Sequence, residues 1–181
     1  VTLQGTLISL DPGSKRTGYA VFDGNQLADA GYLHSDDDEA PAMPRIIEMA
    51  NDLIGMIAVH QPRRIVIEVS SGHVGKRRHT GGGHGLAIYG EAAGALVAAA
   101  HFEMVRLGRN GGRPPAVLWG VVPVLENVWT RGKRKNVRRD AIMMEFPQYR
   151  ALASKDGGAD VSDGIGLGLW WLPREALGVC A

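Results

Sequence analysis

Three short β-prone runs joined by tight turns constrain the start of the chain more than any other feature. Thr6–Asp11 (TLISLD) is aliphatic and β-branched and stops at Pro12-Gly13. Thr17–Phe22 is a second run, and Asp23-Gly24-Asn25 after it is a hairpin turn signal, because Gly and Asn tolerate positive φ. Leu27–Leu33 is a third, less regular run. This pattern predicts an opening antiparallel meander.

Helices and strands then alternate. Met43, Ile46, Ile47, Ala50, Ile54 and Ile57 fall at helical spacing and predict an amphipathic helix. RRIVIEVSSG predicts a strand over Arg64–Val69, followed by a loop rich in Gly, Lys, Arg and His from Ser70 to about Gly83. GLAIYGEAAGALVAAA is a helix dense in small residues, with Gly90, Gly94 and Ala98 four apart on a face that permits close backbone contact. PPAVLWGVVP is the fifth strand candidate, with a short helix after Pro123 to about Trp129. The basic loop TRGKRKN leads into a helix through Met143 and Met144, and a Gly-rich loop precedes a final helix from about Asp160 to Leu172. The order βββαβαβ, then helices, implies an α/β fold with a mixed five-stranded sheet. Its three opening strands are antiparallel, the later ones parallel, and helices flank it. With no repeat and no linker, residues 1–181 are expected to form a single domain.

Composition narrows the class. Apolar content of 45% with 22% charged residues suits a soluble globular protein. No apolar run reaches the roughly eighteen residues of a membrane span. The first residues lack a basic-then-apolar pattern, and Cys180 is the only cysteine, so a cytoplasmic location in a reducing compartment is expected. The net charge of +1 conceals a segregation. Asp23–Asp52 holds eight acids and one base, and Arg106–Arg139 holds nine bases and one acid, Glu126. A basic face of this kind suits a polyanion, with the acidic face turned away.

The placement of the acids is the most informative chemistry. Asp11 ends the first strand, Glu68 sits at the C-terminal end of the fourth, and Asp160 and Asp163 lie three apart on one face of the last helix. Sites form beyond the ends of neighbouring parallel strands, so these carboxylates can converge there. Clustered carboxylates repel and need a cation. Mg²⁺, a hard ion that takes oxygen ligands and works with phosphates, is the natural one, with Mn²⁺ as a substitute. Two such ions about 4 Å apart suit phosphodiester hydrolysis. Bland readings stand beside this one: Asp11 before Pro-Gly can simply start a turn, and Asp160 can cap the last helix. His73, His79 and His84 fit no zinc template, and no G-x-x-x-x-G-K-[ST] loop is present. Trp129, Trp170 and Trp171 read as core or rim packing, and Trp119 as core.

ISLDPGSKRTGYAVFD, IVIEVSSG, GLAIYGEAAGALVAAA, VVPVLENVWTRGKRKNVRRDAI and DVSDGIGLGLWW together resemble the successive motifs of RuvC-type Holliday junction resolvases, members of the RNase H-like superfamily. The first motif alone also resembles the YqgF-like nucleases, but the order and spacing of the set match the resolvases along nearly the whole chain. The resemblance implies an Mg²⁺-dependent endonuclease that nicks opposed strands of a four-way DNA junction, with two ions per site and 5′-phosphate and 3′-hydroxyl products. Asp11, Glu68, Asp160 and Asp163 would be the metal ligands, and Lys135 the family's basic residue before the penultimate helix. It further implies a homodimer formed through the helix over 85–100. Lys15, Arg16, Lys76, Arg77, Arg78, Arg131, Lys133, Arg134, Lys135, Arg138 and Arg139 are the candidate DNA contacts. Bacterial members carry aromatic residues just after the fourth-strand acid. Here SSGHVGKRRHTGGGHG has none, and its basic residues stand ready to grip phosphates instead. That departure suggests a divergent member of phage origin, acting in a bacterial or infected-host cytoplasm. Two other readings compete: an RNase H-like nuclease acting on RNA, and a non-catalytic nucleic-acid-binding protein.

Overall fold

The pleat of the sheet decides which residues meet which helix. In β1 (Thr6–Asp11), Ile8 and Leu10 point to one face and Leu7, Ser9 and Asp11 to the other. In β4 (Arg64–Val69), Ile65 and Ile67 likewise oppose Val66 and Glu68. The first set packs against Ile46, Met49, Leu53 and Ile57 of α1 (Ala42–His60) and against Leu96, Ala100 and Met104 of α2 (Gly82–Arg106). The second packs against Val161, Ile165, Leu167 and Trp171 of α6 (Asp160–Ala176), Trp129 of α3 (Glu126–Thr130) and Met143 of α4 (Lys135–Glu145). The structure, a computed structural model, describes residues 4–37, 39–70, 82–109, 120–155 and 160–178; the side chains of 82–86, 153–155 and 160 lie outside that description.

The five strands run in the order β3-β2-β1-β4-β5, with β2 at Arg16–Asp23, β3 at Gln26–His34 and β5 at Val121–Leu125. β1, β2 and β3 pair antiparallel, while β1–β4 and β4–β5 are parallel. This is the mixed sheet that the pattern predicts. The fifth strand differs in place: it spans Val121–Leu125, not 114–123, and the helix after it starts at Glu126. Pro123 therefore sits within a strand, opposite Ile67. The strand tolerates it because β5 is the edge of the sheet. Trp119 and residues 110–118 are outside the described residues. The last helix passes Leu172 and runs through Pro173 to Ala176. Between α4 and α6 lie a 3₁₀ turn (Pro147–Tyr149) and α5 (Arg150–Lys155), each too short to leave a periodic signal.

α6 rides unusually close to the sheet, and two glycines allow it. A Cβ on Gly164 would lie 3.2 Å from the Gly18 backbone. One on Gly168 would overlap the Phe22 ring and stand 2.8 Å from Ser9 Oγ. The closeness is used, for the Ser9 hydroxyl donates to the Gly164 carbonyl at 2.7 Å across the interface. Farther along, Glu175 pairs with Arg63 at 2.5 Å and Arg64 at 3.3 Å and accepts from Trp171 Nε1 at 3.0 Å. The two arginine contacts pin the C-terminal end of α6 to the start of β4, and the Trp171 bond holds Glu175 in place for them. The helix is thus fixed along its length before its N-terminal turn delivers any side chain.

Candidate active site

Three of the four predicted carboxylates are described, and all three are buried at the C-terminal edge of β1 and β4. Asp11 is 5% exposed, Glu68 7% and Asp163 2%. The last described pair between the two strands is Leu10 with Ile67. Asp11 and Glu68 are therefore the next residue on each strand, side by side and on the α6 face. Asp163, one turn into α6, descends on them because Gly164 and Gly168 let that helix sink. Asp160 opens the helix, its backbone already helical, and its side chain lies outside the described residues.

Basic side chains from α4 close the cluster. Lys135, the first residue of that helix, places Nζ 3.4 Å from Asp163 Oδ2 and 3.9 Å from Asp11 Oδ2. It therefore spans two of the acids. Arg138, three residues on and on the same helix face, forks onto Asp163: Nε donates to Oδ1 at 3.0 Å and Nη2 to Oδ2 at 2.9 Å. Its Nη1 donates to the Lys133 carbonyl at 2.6 Å, and its Cζ lies 4.9 Å over the Trp129 ring. Trp129 in turn donates Nε1–H to Glu68 Oε2 at 2.6 Å. A tight reversal joins α3 to α4. Arg131 (φ 50°) and Gly132 (φ 72°) are consecutive left-handed residues, and Lys133 N–H closes the turn on the Thr130 carbonyl at 3.0 Å. That turn brings the Trp129 and Arg138 side chains into contact.

Electrostatics follow from burial and crowding. Loss of solvent pushes the Glu68 carboxyl up to about 7, the Trp129 hydrogen bond opposes this, and Glu126 and Asp163 add like-charge repulsion. Burial also raises Asp163, against the pull of Arg138 and Lys135. The half-buried Tyr89 hydroxyl on α2 is raised as well, by burial and then by the charges of Glu68, Asp11 and Glu126. The donor set is all hard oxygen, and the Lys135 ammonium already marks a point between two of the acids that draws positive charge. Carboxylate oxygens are the donor type that a hard divalent cation takes. Among the described residues, no three His, Cys, Asp or Glu side chains gather closely enough to enclose one. Arg138 and Lys135 hold Asp163 instead.

The candidate DNA contacts divide. Lys15, Arg131, Lys133 and Arg134 are exposed at this edge. Arg16 is half-buried over the Tyr32 ring, 5.2 Å from its centroid, and Arg139 pairs with its neighbour Asp140 at 3.0 Å. Arg138 is turned inward onto Asp163. Lys76, Arg77 and Arg78, with His73 and His79, fall outside the described residues. Sequence reasoning missed Trp129 as a donor to Glu68, Tyr89 and Glu126 as neighbours of the acids, and the role of Gly164 and Gly168. The Gly-x-Gly-x-Gly run directly after Asp163 was the available signal. Among the described residues nothing packs on the small-residue face of α2: Gly90, Gly94 and Ala98 are exposed, and a Cβ on either glycine would meet nothing within 4 Å.

No protein-family model matches the chain, and no curated protein does. Solved structures do. Thermus thermophilus RuvC in complex with a Holliday junction substrate is similar at a TM-score of 0.64 with 14% identity, over 97% of both chains. A second Thermus thermophilus RuvC structure gives 0.59 and 13% over 96% of each. The yeast mitochondrial Holliday junction resolvase gives 0.60 and 12%, over 97% of this chain and 81% of its own. The chain therefore has the RNase H-like fold of the RuvC type.

Proposed function

We propose that the chain is a divalent-metal-dependent endonuclease that cuts branched DNA, four-way junctions in particular, by phosphodiester hydrolysis. The observation that supports this is Lys135 Nζ lying 3.9 Å from Asp11 and 3.4 Å from Asp163, with the buried Glu68 on the strand next to Asp11 and an exposed basic loop adjoining. The fold shared with junction resolvases supports it. Asp11, Glu68 and Asp163, with Asp160 at the head of the same helix, would hold the ions. Bound there, Mg²⁺ or Mn²⁺ supplies an activated water and charge stabilisation at the leaving oxygen. The chain's own part is to fix the carboxylates and the phosphate. Trp129 orients Glu68 through its N–H, and Lys135 meets the scissile phosphate. Lys15, Arg131, Lys133 and Arg134 track the backbone, so affinity falls as salt rises.

The exposed small-residue face of α2 is the surface for a second copy of the chain. Gly90, Gly94 and Ala98 admit a close helix, and Phe102, 69% exposed, supplies an apolar anchor. A two-fold dimer would present two sites to the two opposed strands of a junction.

The deciding experiment incubates the purified protein with labelled four-way junction, duplex, flap and RNA substrates in Mg²⁺, with Asp11→Asn alongside. Symmetric nicks in the junction, absent from the variant, are expected. Preferential cleavage of RNA, or equal cutting by Asp11→Asn, would overturn the assignment.

A further inference from the structure

The Arg138 side chain is more firmly held than a phosphate-gripping arginine in a free protein needs to be. It is 11% exposed, whereas Arg131, Lys133 and Arg134 in the adjoining loop are exposed. Its fork takes both oxygens of Asp163, at 3.0 and 2.9 Å. Lys135 Nζ stands 3.4 Å from Oδ2, so that oxygen faces two cations at once.

We propose that Arg138 is the resident cation of this site: it occupies Asp163 in the free protein, competes there with a divalent ion, and so makes metal loading depend on bound DNA. The inference rests on the reading of the cluster as a divalent-metal site. A carboxylate oxygen offers two in-plane lone pairs, and on Oδ2 of Asp163 both directions have a positively charged donor nearby. An Mg²⁺ ligand must present such a pair at about 2.1 Å. An ion accepting it would also lie beside the Arg138 guanidinium, 11% exposed and so weakly screened by water, and near the Lys135 ammonium, which is 44% exposed and better screened.

Substrate supplies the release. A guanidinium fork fits a phosphate as well as it fits a carboxylate. Arg138 is tied at 2.6 Å to the carbonyl of Lys133, whose exposed side chain belongs to the basic loop. A backbone phosphate that engages this loop therefore arrives within reach of Arg138 and competes for it. By linkage, whatever factor DNA adds to metal affinity, metal adds to DNA affinity.

The test is Mn²⁺ titration into the DNA-free protein by calorimetry, comparing wild type, Arg138→Gln and Arg138→Lys, with circular dichroism to establish folding. Arg138→Gln leaves a neutral donor and removes the charge, and is expected to bind Mn²⁺ at least tenfold more tightly than wild type. Arg138→Lys keeps the charge but makes a single point contact, which frees one oxygen of Asp163; it is expected to tighten binding about threefold, and it stands in should the glutamine variant fail to fold. Damage to a merely structural arginine would weaken binding, so the direction separates the two roles. If the variants bind Mn²⁺ no more tightly than wild type while wild type binds, the proposal falls and the metal reading survives. If no form binds Mn²⁺, both fall.

Discussion

The two faces of one sheet are built from the same strands and have become different solvents. On the α1/α2 face, Ile8, Leu10, Ile65 and Ile67 meet Met49, Leu53, Ile57 and Leu96 in an aliphatic layer, where even the Thr17 hydroxyl is turned to the sulfur of Met49 at 3.6 Å. On the α6 face the alternate residues are Leu7, Ser9, Asp11, Val66 and Glu68, met by Trp129, a serine-bonded helix backbone and Asp163. Ile67 and Glu68 are neighbours in sequence and sit in opposite environments. Alternation alone decides which is inert and which is reactive. The first face stabilises by area removed from water. The second sacrifices some of that to hold like charges close together.

The largest effect expected is on the reactive face and leaves the other untouched. Asp11→Asn should lower junction cleavage at least about a thousandfold, some 4 kcal/mol of barrier, while junction binding by gel shift stays within a few-fold. A parallel loss of binding would mean that Asp11 shapes the DNA surface instead. Gly168→Ala attacks the closeness of α6, since the new methyl meets the Phe22 ring and Ser9 Oγ. Urea denaturation should show a loss of about 3 kcal/mol, despite the ~1 kcal/mol that alanine normally gains over glycine in a helix. A stability equal to wild type would show that α6 can ride higher at no cost.

Glu68→Gln tests the strain on the reactive face directly. Folding raises this carboxyl from 4.5 to about 7, so the folded state favours its protonated form. Below pH 4.5 both states are protonated and nothing is lost. As pH climbs from 4.5 to 7, wild type forfeits about 3 kcal/mol, and above 7 the loss is complete. Glutamine never ionises and still accepts from Trp129. The metal-free variant should therefore melt roughly 5–10 °C higher than wild type at pH 8, with the gap closing below pH 4.5. A pH-independent gap would place its origin in packing. Ile67→Val, one residue away on the inert face, should cost about 1 kcal/mol at every pH and leave the cleavage rate per folded molecule unchanged.

Much of this was legible in the chain because local rules govern it. β1 and β4 lie where the apolar runs end in acids, and Asp11 and Glu68 at those ends need only period-two alternation to share a face. Asp163 needed one more inference, that the last helix packs on that face. Less visible were features set by tertiary contact. Pro123 reads locally as the end of a strand, yet the strand continues through it to Leu125, at an edge that only the whole sheet defines. Trp129 reads as packing until Glu68 is found beneath its N–H. Arg138 is one more base in a basic run until α4 is docked and its fork meets Asp163. How the stretch after Glu68 acts, where aromatic residues are lacking, lies outside the described residues.

The contact of Gly168 with Phe22 has a consequence for descent as well as for folding. The two positions share one volume, with Ser9 Oγ at its margin: a methyl gained at 168 has to be offset by ring atoms lost at 22 and by room made at Ser9. Across relatives of this chain the pair should change together, small with large or large with small. A branch that enlarges residue 168 without shrinking residue 22 should be one in which the helix has lifted and the acids have parted.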